Sequence, residues 1–342
     1  MQGRVVTVFG GSGSIGRQLV ALLADKGARV RVAVPDTEKA MFLKPLGNLG
    51  QIAPVAASVT NAESVKRAVA GADMVVNLVG ILHEGGRKTF KAIHVDGAAT
   101  VAKAAAAAGV SALVHVSALG ASDKSASKYG VSKAQGEAAV KAAFPGASIL
   151  RPSVVFGPND GFFNLFAGFT RFLPALAYFT RDGFKLAKTA DGGFAFDLGG
   201  SGGPKFQPVY VGDVTEAIVR ILDNPDFQGR TYELGGPKVY SMKEIMDLVV
   251  AETQHAMPVL PLPFWVAKIK ASILGLLPKP PFTKDQLAMM ETDNVVSGAL
   301  PGLADLGIEA QACEPILPTY LNRYRSMHRH MILRGNGSAP QA

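Results

Sequence analysis

The sequence predicts an α/β protein built on a doubly wound parallel sheet, with a smaller, interleaved C-terminal lobe. The first observation is local. Residues 5–9 are rich in β-branched side chains and lead into Gly10-Gly11-Ser12-Gly13-Ser14-Ile15-Gly16. An apolar-periodic stretch through Leu19, Leu22 and Leu23 follows, ending at Gly27, so the segment reads as strand, tight turn and helix. The second observation is recurrence: strand-like runs return at residues 28–34, 74–78, 112–117 and 147–150, separated by alanine-rich helical stretches such as 97–108. Such alternation implies right-handed crossovers and a sheet covered on both faces. The third is that the pattern loosens after Arg151 and then resumes, with a strand at 207–211, a helix at 212–222 and a strand at 231–234.

These elements divide the chain into a Rossmann-type domain over residues 1–156, rejoined by about 207–236, and a smaller lobe over 157–206 and 237–334. Ser241 is placed to cap a helix carrying Ile245, Leu248 and Val249. The last residues, 335–342, read as a disordered tail.

Composition narrows the class. With 342 residues, 48% hydrophobic and 18% charged, the chain is neither disordered nor fibrous and is long enough for two lobes. The single cysteine, Cys313, has no partner for an internal disulfide, and the six histidines lack metal-ligand spacing, so a reducing compartment and no metal are expected. The chain starts almost directly in its first strand, which leaves no room for a signal or transit peptide. No apolar run approaches the roughly 18 residues a spanning helix needs. The formal charge of +8 suggests an acidic partner or anionic surface, but no helix-turn-helix, zinc or aromatic RNA-binding signature accompanies it, which argues against nucleic acid.

The chemistry concentrates in the first lobe. Gly10, Gly13 and Gly16 stand in GxxGxxG spacing: the first permits the tight turn, the second lets backbone approach a pyrophosphate, and the third lets helix and strand pack closely. Ser14 and Ile15 open the helix whose N-terminus receives the phosphates, which marks a site for NADP(H) or NAD(H). Two residues bear on that choice. Asp36, just past the second strand, favours the ribose hydroxyls of NAD(H), whereas Arg17, directly after the third glycine, is placed for the 2′-phosphate of NADP(H). NADP(H) is the preferred expectation.

At the other end of the cofactor, Leu78, Val79 and Gly80 follow the fourth strand, and Pro152 and Ser153 follow the sixth. Tyr129 and Lys133 form a YxxxK motif, one helical turn apart on one face. In that arrangement the lysine holds the nicotinamide ribose and lowers the pKa of the phenol, which exchanges a proton with a carbonyl or hydroxyl. In the extended short-chain reductases that such a motif resembles, a third member, a hydroxyl that binds the substrate oxygen, lies a couple of residues beyond the fifth strand. There the chain has Ser117 at the strand end, followed by Ala118 and Leu119, with Ser122 as the next alternative.

Taken in order, these residues resemble the atypical short-chain dehydrogenase/reductases. So do residues 151–158 (RPSVVFGP), 207–209 with Asp213 and Val214, and 232–237 (YELGGP). The HVSALGA run, the SKYGVSKAQGE run and the C-terminal PPFTKDQLAMMETDNVV most resemble one branch, the NADPH-binding accessory subunits of respiratory complex I and their bacterial relatives. That resemblance implies a tightly held NADPH with a structural role. It also implies complex I subunits near the quinone module as partners, and a peripheral position at the cytoplasmic face of a bacterial inner membrane. Relatives often carry an arginine just after the second strand, where this chain has Pro35. The retained Tyr129–Lys133 pair keeps open the alternative of an active NADP(H)-dependent reductase or nucleotide-sugar epimerase.

Two further segments stand apart. Residues 254–284 contain no acidic side chain and carry Lys268, Lys270, Lys279 and Lys284, with a possible helix over 264–277 striped by Trp265, Ile269, Ile273 and Leu276. Such a stripe suits either a membrane interface or a core helix of the smaller lobe. From Pro315 onward there is again no acidic residue, while Arg323, Arg325, Arg329 and Arg334 accumulate.

Overall fold

The computed structural model describes residues 1–180, 185–188, 194–197, 202–268 and 284–325. The six strands of the first lobe are β1 (Val5–Phe9), β2 (Arg29–Val34), β3 (Ile52–Ala56), β4 (Met74–Asn77), β5 (Ala112–Val116) and β6 (Ser148–Pro152). A later strand, Thr231–Leu234, joins them to complete a seven-stranded sheet in the order Thr231–Leu234, β6, β5, β4, β1, β2, β3. Every pairing in it is parallel.

Strand periodicity explains how the sheet is covered. In β1, Val6 and Val8 face α1 (Ser14–Asp25) and the helix Val211–Asp223, packing with Leu19, Val20, Val214 and Ile218. Phe9 faces the other side, with Val65 of α2 (Ala62–Val69), Val101 of α3 (Ala98–Ala107) and Val140 of α4 (Lys128–Ala143). The period of two places successive side chains on opposite faces, so a strand of alternating contacts is buried on both. In β5, Val114 and Val116 take the first face and Leu113 the second. His115 shares the parity of Leu113 and meets Asn77 of β4.

A separate cluster joins Phe156, Phe163, Leu176, Tyr178, Ile245, Met246 and Leu317. Its helix Met242–Thr253 starts with a capping box, in which Ser241 and Glu244 satisfy each other's backbone N–H. Leu303, Leu306 and Ile308 pack instead into the first cluster, although the sequence pattern assigns that stretch to the smaller lobe.

Several elements differ from the sequence reading. The strand expected at 207–211 shrinks to Val209–Tyr210, because Pro208 has no N–H and Gln207 donates its own to Asn294. The strand β3 and helix α2 lie in a stretch where the pattern shows neither. The helix expected over 97–108 begins instead as a π-turn, Lys91–Gly97, running into α3. A helix starts at residue 264, but its continuation to 277, the tail 335–342, Arg329 and Arg334 lie outside the described residues. Among the described residues no helix is long and apolar enough to cross a membrane.

Candidate functional site

The site forms along the carboxyl ends of β1, β4 and β5, where the chain leaves the sheet for α1, the π-turn and α4. Gly10, directly after β1, has φ +77°, a conformation that excludes most side chains. A Cβ there would also lie 3.3 Å from the backbone of Leu78 and Val79. A Cβ on Gly16 would lie 2.5 Å from the Gly10 carbonyl oxygen and Gly11 Cα, which would push α1 off the turn. Gly13 meets only the Gly10 oxygen, at 3.3 Å, so its outer side is open. It is the N-cap of α1 and supplies no side chain to the helix N-terminus. The N–H groups of the first turn, Ser14 and Ile15 among them, therefore have no capping side chain, as a phosphate-binding helix start requires. Gly11 is a further necessary glycine that the spacing does not single out: a Cβ there would meet Val32 at 2.8 Å.

At the outer end of the site, Arg17 Nε donates to the Ser12 carbonyl at 2.9 Å, and the guanidinium lies 4.4 Å over the Phe42 ring. Asp36 is exposed and pairs with Lys39 at 2.9 Å. The Lys39 side chain and backbone hydrogen bonds hold its carboxyl below the usual range.

At the inner end, Val79 N–H donates to Asn77 Oδ1 at 3.1 Å, which turns residues 78–80 across the end of β4. Gly80 then faces Lys133: a Cβ on it would lie 3.4 Å from Nζ. Lys133 is buried, donates to the Val116 carbonyl at 3.1 Å, and places Nζ 5.9 Å from the centre of the Tyr129 ring. Burial lowers Lys133 to about 8 and raises the Tyr129 phenol to about 12. This corrects the expectation that the lysine lowers the tyrosine: desolvation of the phenol prevails.

Ser117 lies one residue past β5 with its hydroxyl buried and, among the described residues, without a partner. Ser122 is exposed and accepts from Lys124 N–H at 3.1 Å in a turn. Leu119 is buried, with its N–H on the Pro152 carbonyl at 2.9 Å. The Ser153 hydroxyl donates to Asn294 Oδ1 at 2.6 Å and is committed there. The structure thus brings together the glycine turn, residues 78–80, Ser117, Tyr129 and Lys133. It leaves Asp36 at the surface and engages Ser153 elsewhere.

Several polar residues behind the dyad escape a reading of motifs. His94 sits in the π-turn, a form that tends to mark functional positions. Its Nε2 accepts the Ile81 N–H at 3.0 Å, and its Nδ1 donates to Ser132 Oγ at 2.8 Å, which donates in turn to the Tyr129 carbonyl at 2.8 Å. The ring stacks on Phe90 and meets Tyr129 edge-on at 5.4 Å. Two glycines let this turn pack closely: a Cβ on Gly136 would collide with the His94 carbonyl oxygen, and one on Gly97 would meet Val59 at 2.8 Å. A glycine in the middle of each helix was the one signal available. His115 accepts from Asn77 Nδ2 at 3.2 Å through Nδ1, leaving Nε2 unpartnered among the described residues. Burial first, and then the Lys133 charge, lowers each imidazole to about 3. Arg151 on β6 forms a two-point pair with Glu137 on α4 at 2.9 and 2.6 Å, fixing the helix one turn beyond Lys133.

The arrangement fits a nicotinamide dinucleotide. The cradle at Gly10, Gly13 and Gly16 would admit a pyrophosphate, and Ser117 directly follows Val116, whose carbonyl accepts from Lys133, with its own hydroxyl buried and unpartnered among the described residues. When bound, such a cofactor supplies or accepts a hydride. Tyr129, protonated throughout the neutral range, is a proton donor, and the Lys133 ammonium is a donor to ribose hydroxyls.

The sequence pattern of the NAD dependent epimerase/dehydratase family matches residues 6–235, more than half of the chain, and the chain belongs to that family. The fold agrees: the UDP-glucose 4-epimerase of Thermus thermophilus, solved in complex with NAD, superposes with a TM-score of 0.64 at 19% identity, covering 94% of this chain and 99% of that one. Similarity over nearly the full length comes from a particular group. The mitochondrial NADH dehydrogenase [ubiquinone] 1 alpha subcomplex subunit 9 of Mus musculus is 34% identical over 330 residues, covering 95% of this chain and 82% of the relative. The mitochondrial NADH-ubiquinone oxidoreductase 40 kDa subunit of Neurospora crassa is 30% identical, covering 95% and 80%.

Proposed function

We propose that this chain is an NADP(H)-holding accessory subunit of a respiratory NADH:ubiquinone oxidoreductase. In this reading it is bound peripherally near the quinone module, at the cytoplasmic face of a bacterial inner membrane. The observation that carries the reading is the likeness to the mouse subunit, which runs over 95% of the chain, well past the family pattern that ends at residue 235. The site supports a holding role. Lys133 and Tyr129 are placed to grip a ribose, whereas the position beyond Ser117 that a substrate oxygen would need is taken by the buried Leu119. Support for NADP(H) over NAD(H) comes from Arg17, held beside the turn by Ser12 and Phe42, and from Asp36, whose carboxylate is engaged by Lys39.

Native mass spectrometry of the protein released from its own membranes tests this. Bound NADPH together with subunits of the oxidoreductase is expected. A free protein with readily exchanged dinucleotide overturns it.

The retained Tyr129–Lys133 pair favours a second reading, an active reductase or epimerase. It requires Tyr129→Phe to abolish a measurable turnover, and a protein with no turnover on any carbonyl or nucleotide-sugar substrate removes it.

A further inference from the structure

The segment from residue 284 to 297 lies far along the chain from the motifs of the first lobe, yet it grips the inner end of the site. On the helix Lys284–Met290, Asp285 accepts the backbone N–H of Lys128 at 2.7 Å through Oδ1 and that of Tyr129 at 3.1 Å through Oδ2. Nine residues on, Asn294 Oδ1 accepts the Ser153 hydroxyl at 2.6 Å and the Val154 N–H at 3.2 Å. Ser297 N–H then donates to Glu233 Oε2 at 2.6 Å, on the outermost strand of the sheet.

The first turn of a helix has N–H groups without intrahelical acceptors, and a carboxylate there is favoured by the helix dipole. The N-cap of α4, Ser127, accepts the N–H of Gly130. Asp285 takes two others, one belonging to Tyr129 itself. The Tyr129 carbonyl is held from the opposite side by Ser132, with His94 behind it. Asn294 fixes the chain directly after β6, where the Pro152 carbonyl holds Leu119, two residues beyond Ser117. Asp285 therefore acts on backbone that carries the dyad, and Asn294 on the chain next to Pro152, whose carbonyl holds the residue two beyond the serine, while the glycine turn and Arg17 share none of these contacts.

We infer that Asp285 and Asn294 are positioning residues for the nicotinamide half of the dinucleotide site. Asp285 acts through the first turn of α4, and Asn294 through the chain after β6. The inference rests on the dinucleotide reading above and adds a consequence: a bound dinucleotide and the docked segment 284–297 stabilise each other, because coupling between two binding events is reciprocal.

The test uses the full chain as wild type, Asp285→Asn and Asn294→Ala. Dissociation constants are measured by calorimetry for NADPH and for its adenine half alone, 2′,5′-ADP. The asparagine keeps the size of Asp285 but turns an amide N–H toward a backbone N–H. NADPH should bind about tenfold more weakly to each variant, with 2′,5′-ADP unchanged. NADPH should also slow amide exchange across 284–297 in the wild type and much less in Asp285→Asn. A merely structural defect would weaken both ligands together, and that result, like unchanged NADPH binding, overturns the inference while leaving the dinucleotide reading intact. A wild-type protein that binds neither ligand overturns both.

Discussion

Lowering the pH from 7 to 5 should cost the folded protein about 4 kcal/mol through two imidazoles alone. His94 and His115 are lowered from 6.5 to about 3, chiefly because burial disfavours the charged ring. In the unfolded chain both take up protons near pH 6.5, while in the fold both stay neutral until about pH 3. The unfolded state thus binds more protons throughout that window, so stability rises with pH across it and is lost as pH falls. At pH 5 the unfolded imidazole gains about 2 kcal/mol from protonation, against roughly 0.2 at pH 7, and two rings give the total. That is a large share of the roughly 5–15 kcal/mol typical of a native protein. Urea denaturation followed by circular dichroism at pH 7, 6, 5.5 and 5 would measure it, in a range above most carboxylate titration. The slope below pH 6 should approach two protons for the wild type and one for His115→Gln. A wild-type slope below one proton, or an unchanged slope in the variant, would refute the reasoning, since it would mean that the rings charge within the fold.

Three other outcomes follow from the same geometry. Lys133 is lowered from 10.5 to about 8, so the unfolded chain again binds the extra proton between those values, and wild-type stability should rise by about 3 kcal/mol from pH 8 to 10.5. Lys133→Met should flatten that rise in denaturation curves, and a persistent rise would assign it elsewhere. Gly136→Ala forces a methyl group into the His94 carbonyl and should lower stability by roughly 2 kcal/mol or more, read as a lower urea midpoint; a neutral result would mean that α4 and the π-turn separate freely. Arg17→Ala should weaken 2′,5′-ADP about tenfold relative to ADP, as loss of one charge-assisted contact would, and equal losses for the two ligands would remove Arg17 from 2′-phosphate recognition.

Much of the fold was legible because its signals are local. The β1–turn–α1 unit depends on β-branched residues, glycines at fixed offsets and a 3.6-residue apolar period, all readable within about 25 positions. The YxxxK pair is legible for the same reason, since four residues return a helix to the same face. The short strand at Val209–Tyr210 shows where this fails: its length is set by Asn294, more than 80 residues away, which takes the N–H of Gln207.

By itself the sequence determined the doubly wound class and the glycine turn after β1, and it singled out Tyr129, Lys133 and Ser117 as candidates for the site. Only the tertiary structure decided what those groups are chemically. The Tyr129 pKa rises because burial, with Phe90 and His94 packed against its ring, disfavours the charged phenolate. His94, His115, Asp285 and Asn294 have no motif to announce them. Their roles arise from hydrogen bonds between residues as many as 157 positions apart, and such pairings are set by how the layers pack.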